Sequence, residues 1–276
     1  MTISPSVVVL PAVSEGDNDA NASEVAPWRD VYDFTSTDVP GVARPVAHTD
    51  EILLAPTGIG KAPAATTVTA LVAGDAVDVS DAAFVTVGIA GAPPSVGTLG
   101  SVFVADSVVD WDPKIRVDDR IEPPRWNTEY VWELDGDLVA TARDAVETAE
   151  LTDSQRAREI REAYDDDRTP GVGVGPTIGS DELYHGREIT ADVEAFCRAH
   201  GLDGFATTEM ESAGTALALE RFGLLDRYVS VRAVSNFDRE PPGGNPEESV
   251  DEILFDLGIE NAMRAGRAVV ERLTDS

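Results

Sequence analysis

Cysteine, histidine and lysine are scarce in this sequence, and long apolar runs are missing. The single cysteine, Cys197, has no partner for an internal disulfide, which fits a reducing compartment. The three histidines, His48, His185 and His200, lack metal-ligand spacing, so we expect no metal site. The longest apolar stretches fall far short of the roughly 20 residues that a membrane-spanning helix needs. No basic segment followed by an apolar run marks a signal peptide. We therefore expect a cytoplasmic protein with no membrane partner.

The charge is strongly of one sign, with 51 acidic against 21 basic residues and a formal net charge of −30. Such a surface repels nucleic-acid phosphates and anionic lipids, so neither is expected as a partner. The two lysines are Lys61 and Lys114. Acid-rich, lysine-poor surfaces are typical of halophilic cytoplasmic proteins, in which high salt screens the self-repulsion. A merely acidic mesophilic protein is the alternative, and the charge does not identify the reaction.

Apolar residues make up 42% of the 276 positions, which is enough to fill a packed core. Strand-like segments such as Val7–Leu10 and residues 228–234 alternate with helical patterns such as residues 62–72 and Ser212–Phe222. This alternation predicts an α/β fold with helices on both faces of a sheet. We treat residues 1–276 as one domain.

Two long segments depart from this alternation. Residues 12–48 are polar and rich in Gly, Asn, Asp and Pro, which predicts a long loop with one short helix near residues 28–32. Residues 247–273 predict a long amphipathic helix that Gly258 could interrupt.

An acidic pair follows a predicted strand, in the stretch TEMESAG at residues 208–214. In extended backbone, Glu209 and Glu211 would point the same way, because alternate residues share a face. Carboxylates at the mouth of a sheet can accept charge-assisted hydrogen bonds from paired sugar hydroxyls, and such bonds strengthen if the sugar gains positive charge. On chemistry alone, however, a helix N-terminus that favours acidic residues explains the pair more simply.

A second polar group follows the strand at residues 228–234. Asn236 carries both a donor and an acceptor, which suits the edge of a heterocycle. Asp238 is either an acid of the site or the ion-pair partner of Arg239. An Asx-type turn explains the same residues without any ligand.

Two glycine-rich turns could approach a ligand closely. Residues 57–61 open a helix whose N-terminus could hold an anion, although the spacing of a P-loop is absent. Residues 88–91 form either a tight turn or a backbone approach to a ligand. Neither turn alone identifies a ligand.

Four motifs occur in a familiar order: PTGIGK at residues 56–61, TVGIAG at 86–91, TEMESAG at 208–214 and RAVSNFDR at 232–239. Together they resemble the nucleoside phosphorylase/nucleosidase superfamily and, within it, the purine nucleoside permease family. The resemblance covers about half of the chain. The word permease conflicts with the missing membrane segment, so we do not take it as this chain's activity.

The resemblance implies a three-layer αβα sandwich with a central mixed β-sheet, assembly as a homo-oligomer and no cofactor. It also implies cleavage of the N-glycosidic bond of purine nucleosides. Phosphorolysis, with inorganic phosphate as co-substrate and ribose 1-phosphate as product, is the expected reaction. A nucleosidase that uses water, and a non-catalytic nucleoside-binding or transport-accessory protein, are the alternatives.

The resemblance further assigns roles to residues that match its motifs. The expected sets are Glu209, Met210 and Glu211 for ribose; Ala90, Gly91, Leu183 and Asn236 for the base; Glu211, Asn236 and Asp238 for catalysis; and Thr57, Gly58 and Lys61 for phosphate.

Two departures from the family pattern bear on the reaction. Thr86 stands where one bacterial phosphorylase class has a phosphate-binding Arg, and Ile89 replaces a ligand-contacting Ser, so the choice between phosphate and water stays open.

Asn236 stands where a base-contacting Asp is common. It cannot donate a proton as an acid, but it can hydrogen-bond N7 or O6 of a 6-oxopurine, which favours inosine or guanosine.

Overall fold

The computed structural model describes residues 3–18, 20, 22–118, 120–122 and 130–275, and it confirms the α/β fold with a central mixed sheet. The strands are β1 Val7–Leu10, β2 Thr35–Thr37, β3 Val46–His48, β4 Ile52–Leu54, β5 Ala83–Ala92, β6 Val102–Val104, β7 Ser107–Asp110, β8 Ile115–Val117, β9 Arg120–Glu122, β10 Val131–Glu133, β11 Val172–Val174, β12 Thr177–Gly179, β13 Thr207–Glu209 and β14 Tyr228–Phe237. The helices are α1 Ala26–Val31, α2 Lys61–Ala73, α3 Gly136–Val146, α4 Gln155–Glu162, α5 Arg187–Ala199, α6 Ser212–Phe222, α7 Pro246–Ser249 and α8 Phe255–Thr274, with a 3₁₀ turn at Leu225–Arg227.

The long strands β5 and β14 form the middle of the sheet. They run parallel to each other, and β1 pairs with β5 in the same direction. Both strands are buried along almost their whole length, as expected for parallel strands that helices cover on both faces. The carboxyl ends of these strands therefore meet at one edge of the sheet.

Helices cover the two faces of the sheet in separate pairs. Helices α3 and α8 pack together and against β5 and β14 on one face, and α2 packs against α6 on the other. The principal hydrophobic core, which includes Val85 and Val231, lies between the helices and the sheet. This arrangement brings the N-termini of α2 and α6 to the sheet edge where β1, β5 and β14 end.

Two sequence predictions are corrected. The segment 247–273 is not one helix interrupted at Gly258, since the chain leaves the helix after Ser249 and Gly258 lies inside α8. The interruption falls at residues 250–254, where the Leu254 N–H donates to the Ser235 carbonyl at 2.8 Å. The segment 12–48 is not a loop with one helix only, because β2 and β3 also form there and extend the sheet beside β4.

None of the helices in the described part of the chain combines the length and apolarity that a bilayer-spanning segment requires.

Candidate active site

A cavity of about 280 Å³ opens at the edge where β1, β5 and β14 end. This volume is near the lower end of the range for small-molecule sites. All seven predicted ribose and base residues line it, namely Ala90, Gly91, Leu183, Glu209, Met210, Glu211 and Asn236. Four distant stretches of sequence thus converge on one cavity.

Glu211 lies in the short connection between β13 and α6, immediately before the helix. Its side chain is buried, and Oε1 accepts a hydrogen bond of 3.0 Å from the N–H of Gly60 at the start of α2. Oε2 lies 3.3 Å from Nη1 of Arg232 on β14. Two elements therefore hold this carboxylate in place at the wall of the cavity.

Glu209 is the last residue of β13, and its carboxylate serves the helix that follows. Oε2 accepts hydrogen bonds of 2.9 Å from the N–H groups of Glu211 and Ser212, and it also pairs with Nη2 of Arg232. These two N–H groups belong to the first turn of α6, where backbone donors lack helical partners. Glu209 thus caps α6, whereas Glu211 is held by the N–H of Gly60. Both carboxylates also contact Arg232.

Arg232 sits between the two glutamates in the middle of β14, with only 3% of its surface exposed. A buried guanidinium is tolerated because the carboxylates compensate for its lost hydration. Desolvation lowers the pKa of Arg232, but Glu209, Glu211 and Glu24 outweigh it and raise the pKa above its ordinary value. Arg232 is therefore a fixed cation beside the cavity.

Glu24 provides a third carboxylate close to Arg232, and it lies in the connection before α1. Oε2 accepts hydrogen bonds from the N–H groups of Ala12 and Val13, and Oε1 accepts one of 2.9 Å from the N–H of Ile89. A Cβ at Gly88 would lie 2.5 Å from Oε1 of Glu24 and 2.8 Å from Nη1 of Arg232. Gly88 therefore leaves the space in which Glu24 and Arg232 approach each other.

Burial dominates the electrostatics of Glu211. Desolvation raises its pKa to about 7, the attraction of Arg232 opposes this rise, and the repulsion of Glu209 and Glu24 adds to it. The proton equilibrium of Glu211 thus lies close to neutral pH.

Asn236 lines the same cavity and lies four residues after Arg232, near the end of β14. Its Oδ1 lies 2.9 Å from Oγ of Ser235, and its Nδ2 donates to the Phe237 carbonyl at 3.2 Å. A Cβ at Gly91 would lie 3.1 Å from that nitrogen. The amide is therefore held in one orientation, with Nδ2 next to the Gly91 backbone.

Two loops form the rim beside Asn236. Leu183, predicted as a wall for the base, is 65% exposed and therefore belongs to the mouth of the cavity. His185 also lines the cavity, with Nε2 2.8 Å from Oγ of Ser249 in α7. Burial lowers the pKa of His185, so its ring is neutral at pH 7. This contact joins the loop before α5 to the segment that carries Val250 and Ile253 over the cavity.

Asp238, predicted as a catalytic residue, does not line the cavity. It is fully buried, and its two oxygens pair with Nε and Nη2 of Arg239 at 2.7 and 3.1 Å. Burial raises the pKa of Asp238 even so. The structure thus places it as the ion-pair partner of Arg239, the alternative that its sequence position allows.

The three predicted phosphate residues also lie outside the lining of the cavity. The Thr57 hydroxyl is bonded to the Pro11 and Gly58 carbonyls. Nζ of Lys61 lies 2.7 and 2.6 Å from carboxylate oxygens of Asp110 and Asp112. At the N-terminus of α2, the Gly60 N–H is bonded to Glu211 and the Lys61 N–H to Asp181. Backbone carbonyls therefore occupy the Thr57 hydroxyl, and protein carboxylates occupy the Lys61 amine and the first N–H groups of α2.

Comparison with protein families adds an independent finding. The model of the purine nucleoside permease (NUP) family matches residues 4–132 and 128–276. The chain belongs to the purine nucleoside permease family. A probable purine nucleoside permease of Schizosaccharomyces pombe is 27% identical over an alignment of 221 residues, and the match covers 66% of this chain and 63% of that protein. The match thus spans less than two thirds of the relative's length.

Solved structures with the same fold come from nucleoside-cleaving enzymes. The futalosine hydrolase of Helicobacter pylori superposes with a TM-score of 0.68 at 18% identity, covering 97% of both chains. The 5′-methylthioadenosine/S-adenosylhomocysteine nucleosidase of Neisseria meningitidis, in complex with methylthio-immucillin-A, gives 0.65 at 18% identity, covering 98% of this chain and 99% of that one. At this identity the likeness shows the shared fold.

Sequence reasoning missed two residues of the site in this member of the permease family. The sequence did carry a signal for Arg232, because it is a charged residue between Val231 and Ala233 in an otherwise uncharged strand. No sequence pattern distinguishes Glu24, since it is one of many acidic residues in a segment predicted as loop. Its place in the site depends on long-range contacts with Ile89 that no local pattern encodes.

Proposed function

We propose that this chain cleaves the N-glycosidic bond of purine nucleosides and that water is the attacking nucleophile. The observation that carries the proposal is the buried Glu211 carboxylate, held by Gly60 and Arg232 in a cavity that it shares with Asn236. A carboxylate and an amide in one cavity suit a ligand that carries both a sugar and a heterocycle.

Glu211 would hold the ribose 2′ and 3′ hydroxyls. As the C1′–N9 bond breaks, its electron pair leaves with the purine and the sugar gains positive charge. The hydrogen bonds from the hydroxyls to the carboxylate then strengthen, so they stabilise the transition state more than the bound nucleoside. Met210, which lines the same cavity, would pack against the sugar.

Asn236 would stabilise the departing base. One N–H of Nδ2 is bonded to the Phe237 carbonyl, which leaves the other to donate to the ligand. N7 of any purine accepts such a bond, and O6 of a 6-oxopurine does too, whereas the exocyclic amine of adenine presents donors. A bond from the amide to position 6 would therefore favour inosine or guanosine as substrate.

The charge around Arg232 favours water over phosphate. Among the described residues that line the cavity, Glu24, Glu209 and Glu211 surround Arg232, the one guanidinium. A phosphate anion here would meet three carboxylates, and the donors at the start of α2 are already bonded to Glu211 and Asp181. A neutral water avoids this repulsion: its oxygen bonds to C1′ as the C1′–N9 bond breaks, one of its protons passes to a neighbouring carboxylate and from there to solvent, and the purine that leaves with the bond's electron pair takes up a proton from solvent.

The experiment is a product assay with phosphate as the variable. The purified protein is incubated in molar KCl with inosine, guanosine or adenosine, with and without phosphate, and free base, ribose and ribose 1-phosphate are separated. We expect base and free ribose at rates that phosphate does not change. Ribose 1-phosphate as product would instead establish phosphorolysis, the reaction first expected from the sequence.

Glu211→Gln is the matched variant. It keeps the shape of the side chain and loses its charge, so we expect turnover to fall by about 10²–10³-fold while the thermal unfolding midpoint stays close to that of the unmodified protein. Near-normal turnover in this variant would remove Glu211 from the mechanism. Saturable nucleoside binding without any release of base would instead identify a binding protein.

A further inference from the structure

A chain of hydroxyl groups runs from Arg232 into the core, on the side away from the cavity. Nη2 of Arg232 donates to Oγ of Ser212 at 3.3 Å, and Oγ of Ser212 lies 3.1 Å from Oγ of Ser230. The Tyr228 hydroxyl lies within hydrogen-bonding reach of Ser212 and 2.8 Å from Oγ1 of Thr86. The chain thus connects α6, β14 and β5 beneath the site.

The burial of this hydroxyl chain distinguishes it from ordinary packing. Thr86, Ser212, Tyr228 and Ser230 each have 0% of their surface exposed. Apolar side chains of similar size would fill the same space without hydroxyl groups that must find partners. The core nevertheless holds four of them in one connected group, directly behind the guanidinium.

The hydrogen-bonding pattern gives the hydroxyl chain a donor-to-acceptor direction. A guanidinium only donates, so Ser212 accepts from Arg232 and can turn its own proton to Ser230 or Tyr228. Tyr228 can donate to Thr86, whose hydroxyl reaches the Val229 carbonyl at 3.4 Å. When Ser212 donates to Tyr228, each acceptor oxygen from Ser212 to Thr86 turns a lone pair towards the guanidinium, and the aligned dipoles attract it into the sheet.

The glutamates attract Arg232 in other directions. Oε2 of Glu211 and Oγ of Ser212 are each 3.3 Å from the guanidinium, at the long end of the hydrogen-bond range, so a small displacement of the guanidinium changes both contacts together. The position of Arg232 in turn controls how much negative charge Glu211 can present to a ligand.

We propose that the buried hydroxyl chain fixes Arg232 for the reaction, and that Ser212 and Tyr228 are positioning residues of the site. The inference rests on the proposed function in so far as Glu211 acts on the sugar. Neither residue contacts the ligand, because Arg232 and the glutamates stand between the chain and the cavity.

The test compares Ser212→Ala and Tyr228→Phe with Thr215→Val. Ser212→Ala keeps the backbone N–H that donates to Glu209, and Tyr228→Phe keeps the ring. Thr215 lies on the same helix, is equally buried, and its hydroxyl has no hydrogen-bond partner. Valine is close to it in shape, so this control removes a buried hydroxyl outside the chain.

We expect kcat/KM for base release to fall roughly tenfold in Ser212→Ala and in Tyr228→Phe, mostly through kcat, and to stay unchanged in Thr215→Val. We also expect the acid limb of the pH profile to move to higher pH in the first two variants. Glu211 faces Arg232, Glu209, Glu24 and the Gly60 N–H, and a displaced Arg232 leaves it nearer to two like charges.

A second measurement needs no substrate. The pH at which Glu211 takes up its proton follows from the difference in unfolding free energy between each variant and the same variant carrying Glu211→Gln. A shift to higher pH in Ser212→Ala and Tyr228→Phe, absent in Thr215→Val, supports the proposal. If all three proteins match the unmodified protein in this measurement, the positioning role is wrong, whether or not the protein releases base.

Discussion

At the scale of single residues, Glu211 is the group whose protonation should control the site. It presents a full negative charge and two acceptor oxygens to the sugar hydroxyls only when ionised, and burial has raised its pKa to about 7. We therefore expect kcat/KM to fall as pH drops below about 7, with a slope of one proton. A profile that stays flat from pH 8 to pH 5.5 would contradict this role.

The same shift predicts an effect on stability. The folded-state pKa of Glu211 lies above its ordinary value of 4.5, so between these two values the folded protein binds a proton that the unfolded chain does not. The contribution of Glu211 to stability is therefore complete below 4.5 and is lost as pH rises through about 7. Urea unfolding at several pH values should show this loss in the unmodified protein relative to Glu211→Gln. A difference between the two that is constant with pH would refute it.

Asn236 makes a second residue-scale prediction, on the choice of base. Asn236→Asp removes the N–H that favours an acceptor at position 6 and introduces a carboxyl group that can accept from an exocyclic amine. We expect the ratio of kcat/KM for adenosine over inosine to rise by about tenfold or more. The ratio is measured in one preparation, so a general loss of activity cancels. An unchanged ratio would mean that Asn236 does not recognise the base.

Single residues also show how much of the site the sequence predicts. Glu209, Met210, Glu211 and Asn236 could be brought to one cavity by their motifs, because each follows a recognisable strand. Lys61 could not be placed in this way, since its partners Asp110 and Asp112 lie far along the chain. A lysine near a helix N-terminus suggests an anion site, and the contacts that instead neutralise it are visible only in three dimensions.

At the scale of elements, the site depends on how closely α2 and α6 cross. A Cβ at Gly214 would lie 2.2 Å from the carbonyl oxygen of Lys61, so glycine is what allows the backbones to approach. The same approach brings the N–H of Gly60 to Glu211. Gly60 has a φ of +101°, a backbone conformation that favours glycine and directs this N–H.

Gly214→Ala should therefore separate the two helices. We expect a loss of about 1–3 kcal/mol in the free energy of unfolding from overpacking, together with a loss of activity as Gly60 moves away from Glu211. Gly136→Ala is the control, because no atom lies within 4 Å of a Cβ there and the residue begins α3. Urea unfolding and base release are measured for both. Equal behaviour of the two variants would show that the crossing is not tight.

Elements also differ in how well the sequence predicts them. Val7–Leu10 and Ser212–Phe222 have the predicted bounds because their apolar patterns end at clear breakers or caps. Strands β2 and β3, at one end of the sheet, were missed, since three-residue strands carry too little periodicity. The interruption before α8 was placed at Gly258 because glycine is a usual breaker, whereas the contact of Leu254 with Ser235 decides it.

At the scale of the whole molecule, the excess of acid is the dominant feature. A net charge of −30 on 276 residues repels itself in the folded state, where charges are closer together than in the unfolded chain. Many carboxylates at the surface have basic neighbours, as Glu260 has Arg264 and Glu271 has Arg267, but acids outnumber bases by more than two to one. A salt-rich habitat, a cytoplasmic location and a homo-oligomeric assembly stay predictions.

This imbalance makes a prediction about salt that needs no substrate. Screening shortens the Debye length from about 10 Å at 0.1 M to about 3 Å at 1 M, which is shorter than the distance between most surface charges. We therefore expect the urea midpoint, followed by tryptophan fluorescence, to rise steeply with KCl up to about 1 M and then to level off. A general strengthening of apolar burial by salt would instead continue to grow with concentration. A midpoint that is independent of KCl, or that rises in proportion to it without levelling off, would show that self-repulsion does not limit the stability of this fold.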